Sequence, residues 1–391
     1  MLNHRLISCD DHLDLNQLPA DLWTTRLPAA MRDRAPHIEE RDGRALWVCE
    51  GQSWGSWAGK GAAFTGPKPI FTALDRGGVT DLTERRPGVP ALRLKDMDRD
   101  GVYAQVIFGP VTSIKHEETA FRDACYSVYN DWLEEFCAVA PERFLGVPML
   151  PPSPESALTE MRRLAAKGAF KQANLQIAVA DPPIRDPRWE PLLALMEETG
   201  TILAFHVTVF AAALVAFDPL KGSPGATFLH AKAFIDQFLD PFVDLFAYGI
   251  LERHPGLKIV IAESGAGWLP WLVEELDYRH WRLWEAEEYW RDKGGIALVT
   301  KPSDLFKRQI FPTFQKSPVT MRLLEFYGDN LLWASDYPHP DSIWPNSRRT
   351  IEETMGHLPA DMVRKITYEN AARLYRLEPS AVAQQTGSER R

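Results

Sequence analysis

Five side chains able to bind a divalent metal ion lie far apart in the chain, yet each follows or ends a short apolar run. Asp10 and His12 close the first run, and a single histidine or carboxylate closes three later ones: His206, Glu263 and Asp336. Imidazole nitrogen and carboxylate oxygen are ligands for zinc, manganese and iron. Such an ion converts bound water into a nucleophile near neutral pH, or polarises a substrate oxygen. The pattern predicts a metal centre with all five residues as ligands.

Side chains so distant in sequence meet only if the strands that carry them lie side by side. Apolar runs bounded by turn residues are typical of strands buried on both faces. Eight runs are predicted as strands: 5–9, 102–108, 144–150, 172–177, 201–205, 257–262, 309–314 and 331–335. Helical spacing with prolines or capping residues predicts helices at 120–140, 153–166, 187–198 and 268–278. This alternation predicts an α/β protein, a distorted (β/α)8 TIM barrel with the site at its strand ends.

Two long segments interrupt the predicted repeat. Residues 39–90, between the first two strands, and residues 209–227, after the fifth, are longer than ordinary connections. Together they are rich in Trp, Phe and Leu, and we expect them to form an apolar funnel over the metal. The predicted organisation is one barrel domain, residues 1–378, which includes the insertion 39–90. A polar, flexible tail, residues 379–391, follows it.

Composition narrows the classes of function. The 391 residues are 45% hydrophobic, enough for a large core, and the formal net charge is −9. Nucleic acid and anionic membranes repel an acidic protein, so we expect neither as a partner. No apolar segment reaches the roughly 20 residues of a membrane span. Because Asp10 and Asp11 interrupt the first apolar run, we expect no signal peptide. With four scattered cysteines that indicate reduced thiols, these features predict a cytoplasmic enzyme acting on a small molecule.

The same residues carry a family resemblance that covers nearly the whole chain. Its motifs are Asp10-x-His12, His206, Glu263-Ser-Gly-Ala-Gly-Trp268-Leu-Pro270 and Trp333-Ala-Ser-Asp336-Tyr-Pro-His339. In these the chain resembles the amidohydrolase superfamily, in the branch that holds aminocarboxymuconate semialdehyde decarboxylase and the resorcylate-type decarboxylases. The resemblance implies a TIM barrel, a divalent metal ion, a homodimer, and an Asp336 that both ligates the metal and handles the proton. It also implies a histidine near the pocket at His230.

Two positions depart from the decarboxylases of this branch. Relatives carry a histidine after the sixth strand where this chain has Glu263, and many carry a second histidine two residues beyond His12, where this chain has Asp14. The extra carboxylates could hold a second ion, or place a general base opposite the attacking water. The prediction is therefore one or two divalent ions, with zinc first and manganese or iron as alternatives.

Each site residue also has a purely structural interpretation. His206 could be a hydrogen-bonded core histidine, Glu263 could cap the helix that follows it, and His339 and His230 could pack without a chemical role. Because several strand ends share the same pattern, we favour the catalytic interpretation. The predicted catalytic residues are Asp336, Glu263 and His230.

Three classes of function fit these residues. The first prediction is a metal-dependent hydrolase, in which metal-bound water attacks an ester, thioester or amide of a bulky apolar acyl substrate. The alternative is a nonoxidative metal-dependent decarboxylase of an aromatic or enoic acid, in which no water attacks. A dinuclear redox enzyme and an inactive barrel that serves as a partner subunit are more distant. Labelled solvent oxygen separates the first two, because only hydrolysis places it in the product.

Overall fold

Strands and helices alternate along the chain in the computed structural model, which describes residues 3–58, 73–79, 85–112, 114–208, 225–285 and 298–377. The strands are β1 Leu6–His12, β2 His37–Arg41, β3 Arg44–Cys49, β4 Gln52–Ser56, β5 Val102–Phe108, β6 Phe144–Gly146, β7 Met149–Leu150, β8 Gln172–Leu175, β9 Ile202–His206, β10 Ile259–Ala262, β11 Ile310–Phe314 and β12 Leu332–Trp333. The α-helices are α1 Leu22–Arg26, α2 Ala73–Arg76, α3 Pro90–Asp100, α4 Thr119–Ala138, α5 Pro154–Lys167, α6 Glu190–Thr199, α7 Ala226–Ala247, α8 Ile250–Arg253, α9 Leu269–Glu285, α10 Pro302–Gln309, α11 Pro318–Arg322, α12 Leu324–Tyr327, α13 Ser347–Met355, α14 Ala360–Arg364 and α15 Asn370–Leu374.

Parallel strands close into a barrel of eight. Parallel pairing joins β1, β5 and β6 in one run and β7 to β12 in a second. β6 and β7 are the halves of one predicted strand, interrupted at Pro148, which has no N–H to donate. Between β12 and β1, the Asp336 N–H donates to the Asp10 carbonyl at 2.8 Å, and the His12 N–H donates to the Tyr337 carbonyl at 2.7 Å. The predicted (β/α)8 TIM barrel is confirmed.

Burial on both faces explains why these strands lack polar alternation. Successive side chains of a strand point to opposite faces. In β10, Ile259 and Ile261 belong to the outer apolar cluster beneath the helices, while Val260 and Ala262 belong to the cluster inside the barrel. Both faces are dry, so polar side chains are tolerated mainly at the strand ends. The functional groups of the barrel are therefore concentrated there.

The first part of the 39–90 insertion contains strands that are not among the eight predicted from the sequence. β2, β3 and β4 form an antiparallel sheet. β2 and β3 are joined by a two-residue turn, Asp42-Gly43, with φ values of 50° and 70°, and Asp-Gly is the turn sequence that favours this geometry. The Trp47 indole donates to the Leu15 carbonyl at 2.7 Å, so the sheet packs on the segment that follows β1. The Asp-Gly pair was the available sequence signal.

Several predictions fall outside the described residues. These are residues 59–72 and 80–84 of the first insertion, 209–224 of the second, and the tail 379–391. The apolar funnel, the domain limits and the flexible tail therefore stay predictions, as do the homodimer and the cytoplasmic location. In the described ranges, no helix is both long and apolar enough to cross a bilayer.

A buried carboxylate joins α3 to α13 at the end of the barrel where the strands begin. Asp100 is 3% exposed and accepts hydrogen bonds from the Ser347 N–H at 2.8 Å and the Ser347 hydroxyl at 2.5 Å. Burial raises the pKa of Asp100 from 3.8 to about 6, although the bonds from Ser347 oppose the shift. A raised folded-state pKa means that this carboxyl stabilises the fold below its unfolded pKa, and that the contribution is lost as pH rises through 6.

We expect Asp100→Asn to become more stable relative to the wild type as pH rises from about 4 to about 8. Asn accepts from the Ser347 N–H and donates to the hydroxyl, but it cannot ionise. Over this pH range, the free energy of unfolding of the variant should rise relative to that of the wild type by up to about 3 kcal/mol. This value corresponds to about 1.4 kcal/mol per unit of the pKa shift of Asp100. Urea unfolding at both pH values measures it. Asp33→Asn, at an exposed carboxylate, is the control, and an equal shift there would contradict the prediction.

Candidate metal centre

A β-bulge in β1 directs the first two predicted ligands. Between Ser8 and Asp11, β1 contains one more residue than its partner β5. Bulges of this kind redirect side chains beside active sites. β1 also continues through His12, three residues beyond the predicted strand, so Asp10 and His12 are held by the barrel wall. Their positions are therefore fixed by strand pairing.

The five predicted ligands converge at the ends of the strands. His12 Nε2 lies 3.4 Å from Asp10 Oδ1 and 3.3 Å from Asp336 Oδ1. His206 Nε2 lies 3.2 Å from Asp10 Oδ1 and 3.2 Å from Glu263 Oε2. Ligand atoms about 2.1 Å from one ion are separated by roughly 3.0–3.4 Å in octahedral or tetrahedral arrangements. The observed spacings suit ligands of a single divalent ion.

Several atoms of this cluster are buried without hydrogen bonds. Both carboxylate oxygens of Asp336, Glu263 Oε2 and His12 Nε2 make no hydrogen bond to the described residues, although Asp336 Oδ1 lies 2.9 Å from His339 Nδ1 and Glu263 Oε2 lies 3.2 Å from His206 Nε2. A buried polar atom without a hydrogen bond costs about 1–3 kcal/mol, so the cluster favours a ligand that these atoms can bind. The Nδ1–H of His206 donates to the Val207 carbonyl at 2.8 Å, which leaves a lone pair on Nε2 toward the cluster. The residues fit a bound cation.

Two of the cluster residues adopt a backbone conformation that side chains disfavour. The φ angles of Glu263 and Asp336 are 56° and 59°, a left-handed region that costs about 1–2 kcal/mol for a residue other than glycine. Thr313 Oγ1 accepts from the Glu263 N–H at 3.1 Å and donates to Asp10 Oδ2 at 3.1 Å. Strain of this kind is concentrated at functional sites. The sequence prediction missed Thr313, whose signal was a lone hydroxyl near the end of an apolar strand.

Two residues left undecided by the sequence, His339 and Asp14, belong to the site. His339 Nδ1 lies 2.9 Å from Asp336 Oδ1, and its Nε2 lies 3.1 Å from Asp14 Oδ2. Asp14 Oδ1 in turn accepts from the Val111 N–H at 3.1 Å. The His339 ring stacks on His12 with centroids 3.8 Å apart. A buried line of carboxylate, imidazole and carboxylate therefore runs away from the cluster, and His339 can hold a proton beside Asp336.

Burial and crowding of carboxylates shift the ionisation of the cluster. Burial raises the pKa of Asp336 to about 7, although His339 opposes the shift. Burial and the charge of Asp336 raise the pKa of Glu263. Burial lowers the pKa of His206, but Asp10 and Glu263 outweigh it and raise the value to about 9. Burial lowers the pKa of His339, but Asp336 and Asp14 together outweigh it and raise the value well above the ordinary one. The cluster holds excess negative charge, which a divalent cation would neutralise.

The predicted catalytic residues separate into two groups. Asp336 and Glu263 belong to the cluster. Ligand atoms lie within 4.8 Å of one another in each of two groups that share His12. One group is His12, Glu263, Asp336 and His339, and the other is Asp10, His12 and His206. His230 lies in α7, but its side chain is outside the described part of the chain. The assignment of His230 therefore stays a prediction.

Known proteins similar to this chain share its barrel. Residues 61–377 match a family described as Amidohydrolase. The γ-resorcylate decarboxylase of Rhodococcus jostii is 26% identical over 328 residues, 76% of this chain and 91% of that protein. An amidohydrolase from Mycobacterium avium subsp. paratuberculosis superposes with a TM-score of 0.71 at 20% identity, covering 96% of this chain and 100% of that one. A dihydroxybenzoic acid decarboxylase from Polaromonas sp. was solved with manganese and the inhibitor 2-nitroresorcinol. It superposes with a TM-score of 0.59 at 17% sequence identity, covering 95% of this chain and 97% of that one.

These relatives contradict the first functional prediction, a hydrolase of esters, thioesters or amides. The Rhodococcus and Polaromonas proteins are decarboxylases of hydroxylated benzoic acids, and they support the alternative prediction, a nonoxidative decarboxylase. The hydrolase prediction was wrong because it depended on Glu263 and Asp14, where decarboxylases of the branch carry histidine, and on the apolar composition of two insertions. A cluster of His and carboxylate ligands serves either reaction.

The order of the strands, the motifs at their ends and the family match over most of the chain lead to one assignment. The chain belongs to the amidohydrolase family.

Proposed function

We propose that this protein is a metal-dependent, nonoxidative decarboxylase of an aromatic acid, with hydroxylated benzoates such as 2,6-dihydroxybenzoate (γ-resorcylate) as the substrate class. The observation that carries the proposal is the buried pair Asp336 and His339, in which His339 Nδ1 lies 2.9 Å from Asp336 Oδ1 among the other metal-ligand atoms. An imidazole at this distance can pass a proton to the carboxylate, which a general acid requires. The similarity to a γ-resorcylate decarboxylase over 76% of the chain supports the substrate class.

Decarboxylation of a benzoate breaks the bond between the ring and the carboxylate and forms a C–H bond at the same carbon. The electron pair of the broken bond stays on the ring, one proton is consumed, and carbon dioxide leaves without any water being used. The protein must therefore supply a proton at that carbon. Asp336 Oδ2 has no hydrogen-bond partner among the described residues, so it is the oxygen that can present the proton. His339 Nδ1, 2.9 Å from Asp336 Oδ1, holds the proton that replaces it.

The residues that would hold the ion are Asp10, His12, His206, Glu263 and Asp336. When bound, the ion would grip and polarise the carboxylate and phenol oxygens of the substrate. The set contains three carboxylates and two imidazoles, and carboxylate-rich sites suit manganese better than zinc. The Polaromonas relative was solved with manganese. We therefore propose one Mn²⁺ per chain in place of the zinc favoured by the sequence, and elemental analysis of the purified protein tests this choice.

Incubation of the manganese-loaded protein with 2,6-dihydroxybenzoate in D2O tests the reaction. We expect resorcinol and carbon dioxide in equal amounts, with one deuterium on the ring carbon that lost the carboxylate. In a parallel reaction in H2(18)O, the resorcinol should contain no labelled oxygen. Heat-unfolded protein with the same manganese is the control for metal-catalysed background. If the loaded protein consumes neither 2,6-dihydroxybenzoate nor 5-carboxyvanillate, the proposal is wrong.

A further inference from the structure

Asp11 lies between two predicted metal ligands but belongs to a different set of contacts. It is fully buried, and its Oδ1 accepts two hydrogen bonds, from the Ser335 hydroxyl at 2.6 Å and from the Tyr337 N–H at 2.8 Å. These two donors are the residues immediately before and after Asp336. Asp11 Oδ1 therefore binds the residues on both sides of Asp336, the proposed proton donor.

These two bonds matter because Asp336 is in the left-handed region, with φ 59°. The peptide units around it are otherwise tied to neighbouring strands and turns. The Asp336 N–H donates to the Asp10 carbonyl at 2.8 Å, and the Ser335 N–H donates to Ser8 Oγ at 2.7 Å. Removal of Asp11 would leave the Tyr337 N–H and the Ser335 hydroxyl short of an acceptor in a dry interior. The simplest relief is relaxation of the Asp336 backbone, which would move its carboxylate away from the cluster.

A buried cation lies near enough to Asp11 to interact with its charge. Arg93 is fully buried, donates to the His12 carbonyl at 2.8 Å and to Gln105 Oε1 at 2.7 Å, and its positive charge faces Asp11. The Arg93 guanidinium thus binds the main chain of His12, a proposed metal ligand. Its charge also offsets that of Asp11, which contacts the residues on both sides of Asp336. The arrangement resembles an outer layer of a metal site, where partners orient the ligands without touching the ion.

We propose that Asp11 is a positioning residue that holds Asp336 in its left-handed conformation and so sets the metal affinity and turnover of the site; the turnover part rests on the proposed decarboxylase function. The competing explanation is that Asp11 only closes the barrel between β12 and β1. Asn330 provides a matched comparison, because it is also buried and ties the other end of β12 to the Lys307 and Ile310 carbonyls at 2.7 and 2.8 Å.

The test measures the Mn²⁺ dissociation constant of the full chain by calorimetry, together with kcat and KM for 2,6-dihydroxybenzoate. Asp11→Ala should weaken Mn²⁺ binding and lower kcat by roughly 10- to 100-fold each, with a much smaller change in KM. Asp11→Asn should recover most of the lost affinity, because its Oδ1 accepts the same two bonds. Asn330→Ala should lower thermal stability but leave Mn²⁺ affinity near that of the wild type.

Wild-type affinity in Asp11→Ala, or an equal loss in Asn330→Ala, would overturn the inference. If Asp11→Ala does not fold, Ser335→Ala decides, since it removes one of the two bonds and should weaken Mn²⁺ binding in the same direction by a smaller factor. An unchanged affinity in Ser335→Ala would then contradict the inference. If the wild type binds Mn²⁺ but decarboxylates nothing, the proposed function fails, while the Mn²⁺ series still tests Asp11.

Discussion

Replacement of Asp336 by Asn should lower kcat for decarboxylation by about a thousandfold, within the range that general acids contribute. Asn has nearly the same shape but cannot donate a carboxyl proton, and it is a weaker metal ligand. Its Oδ1 would still lie beside His12 Nε2, which is 3.3 Å from the carboxylate oxygen in the wild type. The measurement is steady-state turnover with Mn²⁺ well above its dissociation constant, so that loss of metal does not account for the effect.

Asp329→Asn is the matched control for this substitution. Asp329 precedes β12 at the opposite end from Asp336, is exposed, and pairs with Lys365 and Arg373 on the surface. The same chemical change there should leave kcat close to the wild-type value. An Asp336→Asn enzyme that retains more than about a tenth of wild-type kcat when saturated with metal would exclude Asp336 as the proton donor.

Removal of the divalent ion should abolish decarboxylation and lower thermal stability without unfolding the barrel. The cluster contains three carboxylates within a dry core, and burial already raises the pKa of Asp336 to about 7 and, with Asp336, that of Glu263. A bound cation relieves this repulsion and satisfies atoms that lack hydrogen bonds among the described residues. At a metal concentration 1,000 times the dissociation constant, binding stabilises the native state by about 4 kcal/mol.

The measurement combines dialysis against a chelator with far-ultraviolet circular dichroism, thermal unfolding and activity. We expect an unchanged spectrum, a lower unfolding midpoint, and recovery of both midpoint and activity on addition of Mn²⁺. Magnesium, which demands near-ideal octahedral geometry and tends to keep its waters, should restore less. Full activity in metal-free protein would contradict the metal centre, and recovery by zinc alone would contradict manganese.

The reaction illustrates where sequence reasoning failed. Asp10, His12, His206, Glu263 and Asp336 were identified as metal-ligand candidates, but the same donors activate water in a hydrolase or hold substrate oxygens in a decarboxylase. The choice of a hydrolase depended on the departures from the decarboxylases at Glu263 and Asp14 and on the composition of the insertions 39–90 and 209–227. Composition gives the character of a loop but not its path. The described part of the first insertion proved to be a small sheet packed beside the end of β1.

The outer parts of the site were also beyond sequence reasoning. His339 and Asp14 are 325 residues apart and meet only because β12 closes onto β1. Nothing local distinguishes Asp14 from a turn residue, or Thr313 from a hydroxyl in a strand. The short spacing between Asp336 and His339 in one turn was the single hint, and the structure turns it into a contact of 2.9 Å.

The barrel and the candidate metal ligands could be predicted from the order of the residues alone. Strands buried on both faces must be apolar throughout, so polar groups are displaced to the strand ends, and both facts are visible in the order of the residues. The arrangement of those groups became visible only in the folded chain. The bulge before Asp11, the left-handed conformations of Glu263 and Asp336, and the contacts of His339 and Thr313 arise from pairing between distant strands. Such long-range contacts leave no periodic signal in the sequence, because each depends on a single pair of residues.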